Sequence, residues 1–175
     1  MRLLLITGLP GTGKTTLARS LARRYGVALL SKDLVKEPLL DVLGAATAAH
    51  SRLLSDASFA VLFAVTRELL AAGLDVILEG NFRPGEHEPL LTAIAAPRVV
   101  QVLCRVEEST RLARLTQRRA DGTRHHGHRD IELALRAQRS GDAFLDLPGE
   151  RLAFDSGEAT DASQLHAIDR CWKTE

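Results

Sequence analysis

The sequence is poor in the residues that mark most specialised protein classes. Among its 175 residues are only two cysteines, Cys104 and Cys171, too few for a disulfide framework and at no spacing that suits a metal. Free thiols of this kind fit a reducing compartment. Aromatic residues make up 4%, with one Trp and one Tyr, so Trp172 and Tyr25 read as packing residues and not as a stacking platform for bases. Neither sign of charge dominates. A formal net charge of +1 gives no global attraction to nucleic acid or to a membrane surface. Long apolar runs are missing too: the one beginning at Leu3 is too short for a secretory signal, and Phe59 to Val65 is far too short to span a bilayer. With no internal repeat, low-complexity tract or linker, the expectation is one cytoplasmic domain over residues 1–175.

What is present is an ordinary globular composition, 45% apolar and 26% charged. Arg far outnumbers Lys, which suits bidentate contact with phosphate oxygens and equally reflects codon bias. Short apolar runs alternate with longer stretches of helical period, the pattern of an α/β domain with a mainly parallel sheet. Strands are predicted at 2–7, 27–30, 75–79, 98–105 and 151–154. Helices are predicted at about 14–25, 34–43, 47–72, 86–95, 107–119, 130–139 and 163–172.

The most specific motif is Gly8-Leu9-Pro10-Gly11-Thr12-Gly13-Lys14-Thr15, a full match to the phosphate-loop pattern G-x-x-x-x-G-K-[ST]. It starts where an apolar strand ends and finishes where a helix begins. Glycines let such a loop fold around an anion with its N–H groups pointing inward, and the helix N-terminus adds its own free donors. Lys14 would reach the β- and γ-phosphates, and the Thr15 hydroxyl would hold magnesium. The nucleotide-binding set is thus Gly8, Gly11, Thr12, Gly13, Lys14, Thr15 and Thr16, with ATP and Mg2+ as cofactors.

Three further stretches surround this loop in the sequence. Leu29-Leu30-Ser31-Lys32-Asp33 follows the second strand, and Asp75-Val76-Ile77-Leu78-Glu79-Gly80-Asn81-Phe82-Arg83 contains the third. Arg111, Arg114 and Arg118 share one helix face at i, i+3, i+7 spacing, ahead of Gly122-Thr123-Arg124-His125-His126-Gly127-His128-Arg129. A carboxylate at the end of the second strand would stand at the carboxyl edge of the sheet, where open α/β sheets bind ligands and where Asp33 could take a proton from a hydroxyl. The plainer reading is that Asp33, or Ser31, caps the following helix. The arginine face likewise suits a solvated helix C-terminus. The three clustered histidines have no acidic or cysteine partner at a metal-binding spacing.

Together these stretches resemble the small P-loop kinases related to nucleoside-monophosphate kinases, in the branch that includes zeta-type toxins, polynucleotide 5′-hydroxyl kinases and chloramphenicol phosphotransferase. The resemblance covers nearly the whole chain. It implies a three-layer α/β/α fold with a five-stranded parallel sheet in the order 2-3-1-4-5 and a small helical lid at about 111–130. It implies Asp33 as general base, and Glu79 near magnesium through a bound water. Asn81 and Arg83 would point toward the acceptor. Arg118, then Arg124, would touch the ATP phosphates from the lid, with His125 and His128 contacting substrate. Phe154-Asp155-Ser156-Gly157 would lie near adenine. The implied activity is transfer of the γ-phosphate of ATP to a hydroxyl-bearing acceptor. A small molecule fits the near-neutral charge, and a polynucleotide 5′ end is the alternative. A slowly hydrolysing nucleotide switch is the reading from another class.

Overall fold

Leu3, Leu4, Leu5 and Ile6 are each at most 1% exposed, so the first strand is covered on both faces. That is what a central position in a parallel sheet requires. A computed structural model describes residues 1–44, 47–94, 96, 98–122, 142–157 and 162–173. Along the chain run β1 (Arg2–Thr7), α1 (Lys14–Tyr25), β2 (Ala28–Ser31), α2 (Lys32–Leu43) and α3 (Ala48–Ala71). Next come β3 (Val76–Glu79), α4 (Glu88–Thr92), β4 (Arg98–Arg105), α5 (Glu108–Ala120), β5 (Glu150–Asp155) and α6 (Ala162–Lys173).

The five strands form one parallel sheet in the order β2-β3-β1-β4-β5. Because side chains alternate along a strand, β1 feeds two separate cores. Leu3 and Leu5 pack with Val76, Leu78, Phe82 and the α3 residues Phe59, Leu62 and Phe63. Leu4 and Ile6 pack on the other face with Ile77, Val100, Leu17 and Leu21 of α1, and Ile168 and Trp172 of α6. Trp172 stacks on Tyr25 at 5.3 Å between ring centroids, so both aromatics close this second layer. Among the described residues no helix is long and apolar enough to cross a membrane.

Two boundaries differ from the sequence expectation for identifiable reasons. β2 runs on to Ser31, because Ser31 keeps the parallel register opposite Glu79. The helix expected at 86–95 shrinks to Glu88–Thr92, because the N–H groups of Glu86 and His87 both donate to the Arg83 carbonyl and form a turn. The helix expected at 130–139 lies outside the described residues.

Phe82, fully buried, holds the start of the β3–α4 loop against α3, with ring centroids 5.5 Å from Phe59 and 6.4 Å from Phe63. Phe82→Ala is expected to cost ~3–5 kcal/mol in urea unfolding. A loss below ~1 kcal/mol would mean that the loop does not depend on this anchor.

Candidate active site

The loop from Gly8 to Thr15 joins β1 to α1 at the carboxyl edge of the sheet. Gly8 adopts φ +149°, and a Cβ there would stand 2.5 Å from the Cys104 carbonyl oxygen and 2.7 Å from Thr12 Oγ1. Neighbouring β4 therefore excludes any side chain at that point. Thr12 is buried and donates its hydroxyl to the Leu9 carbonyl at 2.8 Å, which closes the loop from within. At the N-terminus of α1, Gly13 offers no side-chain cap and the first turn holds no acidic residue. The first N–H groups of the helix, with its positive dipole end, are left to an outside acceptor, which suits an anion. Lys14 Nζ lies within this setting, 3.5 Å from the Leu9 carbonyl oxygen and 4.0 Å from Glu79 Oε1. Thr15 is half-buried and Thr16 exposed.

The outer side of the loop is braced by α5 and the end of β5. Arg111, 4% exposed, grips Glu108 with two hydrogen bonds of 2.8 and 2.7 Å and donates to the Pro10 carbonyl at 3.2 Å. Arg114 donates to Ser156 Oγ at 2.9 Å, to the Ser156 carbonyl at 2.6 Å and to the Gly11 carbonyl at 3.5 Å. Ser156 Oγ in turn donates to the Thr12 carbonyl at 2.8 Å. The sequence grouped Arg111, Arg114 and Arg118 as one basic face. In the structure the first two hold the loop's backbone, and Arg118 is half-buried one turn further on. The bracing role was missed, although the i, i+3 spacing of Glu108 and Arg111 was a visible signal of pairing. Arg124, His125 and His128 lie outside the described residues.

On the other side of the loop, Pro10, Lys14, Lys32, Asp33, Glu79, Gly80 and Asn81 line a small open cleft. Glu79 is 2% exposed, and its Oε2 accepts a hydrogen bond from Ser31 Oγ at 2.5 Å. Ser31 stands at the N-cap position of α2 yet makes no capping bond. Asp33 occupies the first turn of α2, where the helix dipole favours an acid, and its Oδ1 lies 3.3 Å from Lys32 Nζ. Arg83, expected at the acceptor, is not among the lining residues. Its guanidinium pairs with Asp56 at 2.6 Å and Glu86 at 2.7 Å and sits 5.9 Å from the centre of the Phe59 ring. The nearby acids on α3 and in its own turn hold it there, with its side chain mostly buried.

Fold and site together define a P-loop domain with the strand order of the small kinases and an acidic residue at the end of β3. The chain belongs to the AAA-domain family, whose profile matches residues 3–141. It is similar in structure to a "putative kinase" from Chloroflexus aurantiacus, with 31% identity, a TM-score of 0.85 and coverage of 97% of this chain and 96% of that one. In sequence it is 35% identical over 83 residues to the shikimate kinase of Salinispora tropica, covering 45% of this chain and 50% of that enzyme. It is also 34% identical over 103 residues, 55% of this chain, to the uncharacterized protein Mb2027c of Mycobacterium bovis. The chain spans 21% of the length of that mycobacterial protein.

His87 lies in the β3–α4 loop, buried against Phe59, Phe63 and Phe82, and its Nδ1 accepts the Arg83 N–H at 2.9 Å. Burial, and then the Arg83 charge, push its pKa from 6.5 down to about 4, against the opposing pull of Glu86, Asp56 and Glu88. The unfolded chain therefore binds more protons than the folded one between those values. This contribution to stability is complete above about pH 6.5 and is lost as the pH falls toward 4. His87→Asn keeps an acceptor for Arg83, and its unfolding free energy is expected to fall less steeply than wild type over that range. Parallel pH profiles would assign the slope to other groups.

Proposed function

We propose that this chain is an ATP- and magnesium-dependent kinase that phosphorylates a hydroxyl group of a small molecule. One observation carries the reading: Lys14, Asp33, Glu79 and Asn81 line a single cleft beside the glycine-rich loop. The kinase names borne by the Chloroflexus structure and the Salinispora enzyme support the reaction class. The formal net charge of +1 favours a small acceptor over a polynucleotide, whose phosphates call for a basic track.

The uncapped start of α1 and the Lys14 ammonium suit the phosphates of ATP, with Gly8, Gly11, Thr12, Gly13 and Thr16 shaping that end of the site. The Thr15 hydroxyl would hold a magnesium ion, and Glu79 would accept from a water on it. Bound there, the metal neutralises charge on the β- and γ-phosphates. Asp33 accepts the proton of the acceptor hydroxyl as that oxygen bonds to the γ-phosphorus and the bond to the β–γ bridging oxygen breaks. Asn81 orients the acceptor beside Asp33. Arg118 acts on charge at the transferring group; Arg124, which would touch the ATP phosphates, and His125 and His128, which would contact substrate, lie outside the described residues.

The direct test follows ATP consumption with magnesium against sugars, nucleosides, aminoglycosides and 5′-hydroxyl oligonucleotides. Labelled phosphate on one small acceptor is the expected result. Label on the oligonucleotide would change the acceptor class, and slow hydrolysis indifferent to the whole panel would favour a nucleotide switch. Asp33→Asn should keep ATP affinity within about twofold and lose transfer by ~10²-fold or more; unchanged turnover would remove Asp33 as the base. Arg118→Ala should lower kcat more than it weakens nucleotide binding, whereas equal losses would limit it to ground-state affinity.

A further inference from the structure

Ser31 is the residue at the strand-to-helix junction whose hydrogen bond runs against local expectation. A serine at a helix N-cap normally accepts a backbone N–H from the first turn. Ser31 has the extended N-cap conformation, φ −108° and ψ 135°, and gives its α2 no such bond. Its hydroxyl instead donates to Glu79 Oε2 at 2.5 Å, from a position directly opposite Glu79 in the β2–β3 register. Both side chains are buried, Ser31 at 7% and Glu79 at 2% exposure. The other carboxylate oxygen, Oε1, is the one facing Lys14, at 4.0 Å.

We infer that Ser31 is a positioning residue: its hydroxyl pins one oxygen of Glu79 so that the other is presented to the Lys14 side of the cleft, and so sets how strongly magnesium tightens nucleotide binding. The inference rests on the reading of Glu79 given above. A carboxylate rotates about its last side-chain bond over a broad range unless a donor holds it. With Oε2 committed to Ser31, Oε1 has a fixed direction, and a water placed by it has a fixed partner. Hydrogen bonds of this outer kind typically govern metal affinity by about 10–100-fold.

The test measures the affinity of the full chain for the non-hydrolysable analogue AMPPNP by titration, once with magnesium and once with a chelator. Wild type should bind more tightly with magnesium. Ser31→Ala should lose about tenfold of that gain while its metal-free affinity stays within about twofold, and Ser31→Thr, which keeps a hydroxyl on a strand, should restore it. An undiminished magnesium gain in Ser31→Ala would overturn the inference, as would an equal loss with and without the metal, since that is the mark of a general structural defect. Glu79→Gln separates the two layers of the argument. If it keeps the magnesium gain, the reading of Glu79 fails and the role of Ser31 falls with it. If it loses the gain while Ser31→Ala does not, only the role of Ser31 is overturned.

Discussion

Burying a carboxylate costs several kcal/mol unless partners replace the water it gives up, and the arrangement around Glu79 answers that need. β3 lies between β1 and β2, so Glu79 has Ile6 on one side and Ser31 on the other. The β2 neighbour supplies a hydroxyl, and the loop that leaves β1 supplies the Lys14 ammonium. Both partners therefore come from the strand order. A sheet in which β3 lay at an edge would leave this acid with one flank in solvent and no fixed relation to the phosphate loop. The β2-β3-β1 pairing is thus a condition of the site as much as of the fold.

The phosphate loop has its own dependence, on the opposite flank. Backbone carbonyls that turn outward from an anion cradle need donors, and here Arg111, Arg114 and Ser156 provide them for Pro10, Gly11 and Thr12. These donors sit on α5 and at the end of β5, so the cradle is held by elements other than those that bring Asp33 and Glu79 to the cleft. Arg111 and Leu115 are the buried residues of α5, which means that the helix packs through the same face that braces the loop. A displacement of the first turns of α5 would be felt at the loop carbonyls. The base of α5 is therefore part of the phosphate site, whatever its last turn contributes.

Much of this was legible in the sequence, for unequal physical reasons. The phosphate loop could be read because an anion cradle demands glycine at fixed intervals and a strand and helix on either side. The five strands could be read because β1, β3 and β4 are nearly continuous apolar runs, and their order followed from the family resemblance. The individual side chains around the loop could not be assigned from spacing alone. Helical periodicity put Arg111, Arg114 and Arg118 on one face but carried no information that Ser156 would come up beside Gly13, because that contact joins residues far apart in the chain. The ion pair of Arg83 was hidden for a similar reason: its partner Asp56 lies on α3, 27 positions away in the chain, beside the contact of Phe82 with Phe59. Ser31 was weighed as a cap because local preference favours that, and the pairing with Glu79 outcompeted it.

The segment Ser31-Lys32-Asp33 shows how little chain is needed to build one wall of the cleft. β2 ends at Ser31 and α2 begins at Lys32, with no loop between them. Extended and helical backbone meeting at one bond turn successive side chains in different directions. Ser31 faces back to β3, Lys32 lies against Gly80, and Asp33 enters the cleft. The absence of a side chain at position 80 eases the close approach of this junction to β3. A Cβ on Gly80 would meet Phe59 Cε1 at 3.1 Å and Lys32 Cβ at 3.3 Å. The ring of Phe59 is fixed in its cluster and the Lys32 Cβ is fixed by the start of α2, so neither can yield freely. Residues of α2 and α3 thus pack beside Gly80 at the end of β3, beneath the cleft that Asp33 and Glu79 line. In the proposed reaction that cleft must hold both the acceptor hydroxyl and the transferring phosphoryl group, so the width available to an acceptor is decided by packing beneath it as well as by the residues that line it.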